Sequence, residues 1–144
     1  MENREELITE IDLLTIQMNK RFKQAMTELF KGELTLTEYI FLKYLLNNGP
    51  SRPSDAAAVF EVSLAHVTSM CDRLVKKSLI YRERTEADRR TIEIGLSEEG
   101  KAIIEKFTKI KREFLTTLYQ DLSDEELTQL IFIMKKVNDS FEKR

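Results

Sequence analysis

The sequence is short of the residues that build disulfides, metal centres and long loops. It has one cysteine, Cys71, and one histidine, His66. A lone thiol forbids an intramolecular disulfide and makes a reducing, cytoplasmic setting the default. One Cys and one His without a second cluster cannot make a zinc site, and no supporting motif turns them into a catalytic pair. No nucleophile, base and orienting group converge elsewhere, so no catalytic residue, metal or cofactor is expected and the chain is read as a non-enzyme. Four glycines and two prolines in 144 residues leave little material for loops and predict long helices. No stretch approaches eighteen uncharged residues and the N-terminus carries no apolar leader core, so neither a membrane span nor secretion is expected.

What is present is a chain 42% hydrophobic and 33% charged, the balance of a soluble, helix-rich globular domain long enough to bury a core. The net charge of −2 hides an asymmetry. Residues 63–92 sum to +3, through Arg73, Lys76, Lys77, Arg82, Arg84, Arg89 and Arg90, whereas 1–50, 51–62 and 93–144 sum to −2, −1 and −2. Positive charge is gathered in one central segment, which supports an anionic partner there.

Apolar spacing orders the elements. Leu7, Ile11, Leu14, Met18, Phe22, Ala25 and Leu29 make a helical stripe that Gly32 ends. Thr35 or Thr37 caps a second helix, with Glu38 three after Thr35 as a capping box, and Asn47-Asn48-Gly49-Pro50 stops it. A short third helix starts at Ser51 or Arg52 with Pro53 in its first turn. After the Glu61-Val62 connection, Ser63 caps a fourth helix running to about Lys77, with Val67, Met70, Cys71 and Leu74 facing inward. Leu79–Arg84 and Thr91–Leu96 read as the arms of a β-hairpin with a charged loop. A fifth helix opens at Ser97-Glu98-Glu99-Gly100 and carries Ile103, Ile104, Phe107, Ile110, Phe114 and Leu118. Ser123 and Glu126 box the start of a last helix, whose buried face is expected to hold Leu127, Leu130, Ile131, Met134, Val137 and Phe141. The fold class is therefore mainly α with a small β-hairpin wing.

The span from Pro53 to Lys77 has the proportions of a helix-turn-helix: a short helix, a tight turn, and a second helix whose outer face fits a major groove. That face offers Ala65, His66, Thr68 and Ser69 in its first turns and Arg73 and Lys76 further on. Small and hydrogen-bonding groups approach base edges, and cations suit phosphates. Arg89 and Arg90 at the hairpin tip suit a narrow minor groove. Pro53-Ser54-Asp55-Ala56-Ala57, Ser63–Leu74, and the block Asp88-Arg89-Arg90-Thr91-Ile92-Glu93-Ile94-Gly95-Leu96-Ser97-Glu98-Glu99-Gly100 together resemble the MarR family of winged helix-turn-helix transcriptional regulators. The likeness extends over essentially the whole chain.

The resemblance implies a bacterial, cytoplasmic homodimer that binds double-stranded DNA at a pseudo-palindromic operator. It implies one domain over 1–144, with a winged lobe at 35–97 and dimerisation helices at 1–31 and 98–144. On that pattern Ala65, His66, Thr68 and Ser69 face bases, Ser54 and Arg73 meet the backbone, and Lys76 suits a phosphate. Arg90 reaches the minor groove oriented by Asp88, and Arg89 touches phosphate. Repression, and release by a small-molecule effector in a pocket drawing on Phe22, Tyr39, Phe41, Tyr44 and Phe107, are implied as well. A rival reading keeps the winged fold but makes it a protein-interaction module that does not bind DNA; the cations retained at helix and wing weigh against it. Ser78 departs from the glycine many relatives have after the recognition helix, a position suited to a left-handed cap. Cys71 shares a face with Val67 and Leu74, so a buried small hydrophobe is favoured over a redox sensor. His66 is read as a neutral hydrogen-bonding group at the DNA surface rather than a pH switch.

Overall fold

The computed structural model describes residues 3–85, 87–88 and 90–143. Its elements run α1 (Arg4–Leu29), α2 (Leu36–Asn48), α3 (Pro53–Phe60), α4 (Leu64–Lys76), β1 (Ile80–Arg84), β2 (Ile92–Leu96), α5 (Glu98–Leu118) and α6 (Asp124–Glu142). By internal contacts the chain divides into two compact units, one ending at Lys109 and one beginning at Ile110, with α5 running through the boundary.

Local chemistry sets the helix ends. Capping boxes open α2 at Thr35 with Glu38 and α6 at Ser123 with Glu126, and a third opens α1 at Asn3 with Glu6. Arg52 precedes α3 without a side-chain cap, and Pro53 occupies its first turn, where no amide hydrogen is needed. Ser63 accepts the His66 amide and starts α4. The turns after α3 and α4 require left-handed backbone, and here non-glycine residues supply it: Glu61 at φ 54° and Ser78 at φ 62°. The sequence departure at Ser78 is thus a residue held in a conformation that glycine adopts without steric cost.

The first unit carries the core. Phe30 at the end of α1 packs its ring 4.5 Å from Phe107 of α5 and 5.5 Å from Tyr39 of α2. The Tyr39 hydroxyl meets the Thr108 hydroxyl at 2.6 Å, so the phenol is satisfied as it is buried. Val67, Met70, Cys71 and Leu74 are all buried beneath α4, as their spacing predicts. Ala56 and Ala57 are buried where α3 meets its neighbours, and Ala58 is exposed.

The hairpin is antiparallel with Ile80 opposite Leu96 and Arg84 opposite Ile92. It gains a partner that periodicity does not reveal: Ser51 and Ile94 exchange both backbone hydrogen bonds, at 3.0 and 2.8 Å. This bridge ties the wing's base to the start of the helix-turn-helix. Gly100 closes the other side. A Cβ there would stand 2.2 Å from the Leu79 carbonyl oxygen, so the glycine of Leu96-Ser97-Glu98-Glu99-Gly100 lets α5 pack against the entry to β1.

One expectation is corrected, on α6, and the stripe of α1 lies open in the same way. On α6 no residue is buried within the chain: Ile131, Met134, Val137 and Phe141 are exposed, Phe141 to 74%, and Leu127 and Leu130 are only half-buried. On α1 the predicted stripe is covered only towards its end, and Leu7, Ile11, Leu14 and Met18 stay 46 to 63% exposed. Each of these helices thus leaves an apolar face exposed among the described residues.

Candidate nucleic-acid interface

The helix expected to enter a major groove is α4. With its inner residues buried, Ala65, His66, Thr68, Ser69, Asp72, Arg73 and Lys76 are turned to solvent. Leu64, at the first helical position, is also exposed at 52% and adds an apolar group that the sequence reading did not single out. Ser54 is exposed in the first turn of α3. The base-facing residues expected from sequence therefore lie together on one surface of one helix.

Most charged residues of α4 and its C-cap are tied to their own protein. On the flank towards α2, Glu38 is buried to 2% exposure yet lies 3.7 Å from the Arg73 Nε and 3.7 Å from the Lys77 Nζ. The same carboxylate accepts the Thr35 amide at 2.9 Å. Lys77 also donates to the Glu33 carbonyl at 3.1 Å, and Arg73 reaches the Ser69 hydroxyl with Nη1 at 3.2 Å. On the opposite flank Asp72 pairs with Arg82 of β1. Among the described residues Lys76 has no acidic partner. Glu38 was legible only as a helix cap, because its pairing with α4 is made across 35 and 39 positions of sequence.

The wing tip is organised by Asp88. Its carboxylate accepts the Arg90 amide at 2.9 Å and the Thr91 hydroxyl at 3.1 Å, while its carbonyl accepts from the Thr85 hydroxyl at 2.8 Å. The aspartate bends the backbone locally and sets the direction in which Arg90, itself exposed, leaves the turn. Arg89 lies outside the described residues.

Cys71 is buried beneath α4 beside the Asp72–Arg82 pair. Burial pushes its thiol from 9.0 up to about 11, with Arg82 opposing the rise and Asp72 adding to it. At neutral pH it is a protonated, unreactive thiol.

The five aromatics expected to share an effector pocket fall in three places. Tyr39 and Phe107 belong to the Phe30 core. Phe41 and Tyr44 both meet the Phe60 ring, and Phe41 also borders a cavity of about 200 Å³ that reaches His66. Phe22 alone lines a cleft of about 500 Å³ between the second half of α1 and the start of α2.

This arrangement has known counterparts. Residues 15–107 match the family model described as Transcriptional regulator SarA/Rot. The chain is 30% identical over 138 residues to the HTH-type transcriptional regulator YpoP of Bacillus subtilis strain 168, covering 96% of this chain and 98% of that one. The chain belongs to the MarR family of transcriptional regulators. This MarR-family protein is also 28% identical over 143 residues to the transcriptional repressor MdtR of the same organism, over 99% of this chain and 92% of that one. Its fold superimposes with a TM-score of 0.74 on a cysteine-to-serine mutant of MarR from E. coli complexed with operator DNA, at 24% identity over 94% of this chain and 99% of that one. The MarR-family chain is a DNA-binding transcriptional regulator and not an enzyme. Among the described residues no helix is long and apolar enough to cross a membrane.

Proposed function

We propose that the chain acts in the cytoplasm as a homodimeric repressor, placing two α4 helices in successive major grooves of a pseudo-palindromic operator about 34 Å apart. The observation that carries this is the exposed face of α4, where Ala65, His66, Thr68 and Ser69 stand clear of the core beside a wing tip ordered by Asp88. Those side chains are short enough for the helix to approach base edges closely. Ser54, Arg73 and Lys76 contact phosphates, and Arg89 and Arg90 serve the wing, with Arg90 in the minor groove. The uncovered apolar faces of α1 and α6 supply the dimer contact, since a soluble monomer rarely leaves such patches in water. A small effector occupies the cleft beside Phe22 and favours a spacing of the two lobes that no longer fits the operator.

Binding of the purified protein to the DNA upstream of its own gene tests the reading, with salt titrated and wild type compared with Arg90→Ala. Affinity that falls steeply with salt and drops about tenfold in Arg90→Ala is expected. No binding above that of an unrelated duplex, in either protein, favours the protein-interaction module instead.

A further inference from the structure

The cap at the start of α2 explains one property of Glu38 and leaves another unexplained. A glutamate at the third position of a helix closes a capping box just as well from the surface, as Glu6 and Glu126 do in α1 and α6. Glu38 does it while almost wholly buried. Burying a carboxylate is costly unless cations face it, and here two do, both from the recognition helix. Its two oxygens are divided between them: Oε1 serves the Thr35 amide and Lys77, and Oε2 faces the Arg73 Nε.

We propose that Glu38 is a positioning residue for DNA binding: it holds the Nε edge of Arg73 inward so that the Nη edge is presented on the outer face of α4. This rests on the DNA-binding reading of that face. The Arg73 side chain spans the distance from the buried carboxylate to the Ser69 hydroxyl, which it reaches with Nη1, so a single guanidinium joins the interior to a base-facing residue. A guanidinium has donors on two edges and can satisfy a carboxylate with one while offering the other to a phosphate; an ammonium cannot. Lys77, held by Glu38 and by the Glu33 carbonyl, anchors the next turn of the helix to the same spot. Together the two contacts fix the roll of α4 about its axis, while Asp72 and Arg82 hold the other flank. The roll decides which of Ala65, Thr68 and Ser69 meets a base.

The test uses an operator selected by the wild-type protein from random duplexes, together with an unrelated duplex. Glu38→Gln keeps the volume and the cap, since glutamine also closes a capping box, and removes the charge. Expected is about a tenfold weaker Kd for the operator and a salt slope shallower by about 0.9, the loss of one phosphate contact. Arg73→Ala should give the same slope change, and combining it with Glu38→Gln should add nothing further. Arg73→Lys keeps the charge in a protein whose Glu38 is intact, and should nevertheless bind the operator about as weakly as Arg73→Ala. Should Glu38→Gln fail to fold, Arg73→Lys carries the test alone. A tighter Kd with a steeper slope in Glu38→Gln would show a carboxylate that competes with DNA, and the proposal falls. An unchanged Kd and slope with only a lower melting temperature reduces Glu38 to a cap, and the proposal falls again. If the wild type selects no sequence, the DNA-binding reading itself fails and takes the proposal with it; if it selects one and both variants bind it like wild type, the positioning role alone is wrong.

Discussion

Helices α4 and α6 are written in the same amphipathic style and end in opposite situations. In α4 the inner residues Val67, Met70, Cys71 and Leu74 are all closed off beneath the helix. In α6 the corresponding stripe of Ile131, Met134, Val137 and Phe141 lies open, and Phe132 and Ile133 beside it are more than half exposed. An apolar stripe states that a face must be covered; it does not state by what. For α4 the cover includes α3 and β1, its neighbours in sequence, brought there by short connections. For α6, and for the first half of α1, the stripe stays exposed among the described residues, which is the opening on which the proposed dimer rests.

The sharpest way to break this contrast is to charge the open faces. Ile11→Glu on α1 or Met134→Glu on α6 should take a particle of twice 16.9 kDa to one of 16.9 kDa by sedimentation. Operator affinity should then fall by at least about a hundredfold, because one lobe loses the tethered help of the other. A wild-type protein already of single-chain mass would end the dimer reading.

A smaller effect probes the closed face. The unfolded chain ionises the Cys71 thiol near its ordinary 9.0 and the folded protein only near about 11, so the unfolded state releases its proton first. Stability is therefore intact below pH 9 and is lost as the pH rises towards 11. Urea midpoints from pH 7 to 11 should show this decline beyond that of Cys71→Ala. The native thiol should resist alkylation at pH 8 and react once the protein is unfolded. A fast-reacting native thiol would mean that the α4 face opens readily.

The smallest effect concerns the turn that closes the lobe. Ser78→Gly relieves a left-handed residue and should stabilise the protein by about 1 kcal/mol, a rise of roughly 2–4 °C in Tm. A drop in Tm would show that the serine contributes more than its backbone strain costs.

Most of this architecture was legible in the sequence because its signals are local. The caps at Thr35, Ser63 and Ser123 are hydrogen bonds across three residues, and the inner face of α4 follows from a period of 3.6, as does that of α5 at Ile104 and Phe107, though Leu118 further along the same stripe is exposed. The winged shape followed from a helix-turn-helix ahead of two short extended arms. What escaped was made at long range. The Ser51–Ile94 bridge and the clustering of Glu38 with Arg73 and Lys77 join residues 35 or more positions apart, and the Asp72–Arg82 pair, ten apart, crosses from a helix to a strand with no shared periodicity to mark it. The scattering of Phe22, Tyr39, Phe41, Tyr44 and Phe107 among core and cavities escaped for the same reason, since an aromatic at helical spacing carries no mark of the neighbour it will meet.

Periodicity and capping alone thus dictated where the helices begin, which side of each is apolar, and that Ala65, His66, Thr68 and Ser69 share an outer face. Those properties depend on neighbours within about one turn, and the chain carries them wherever it goes. Only the packed lobe decided that charges of α4 would serve as moorings, with Arg73 and Lys77 drawn to a buried carboxylate and Asp72 to an arginine of the wing. The strength of a charge's interactions is set by the distance and burial of its partners, and both come into being only when distant segments meet.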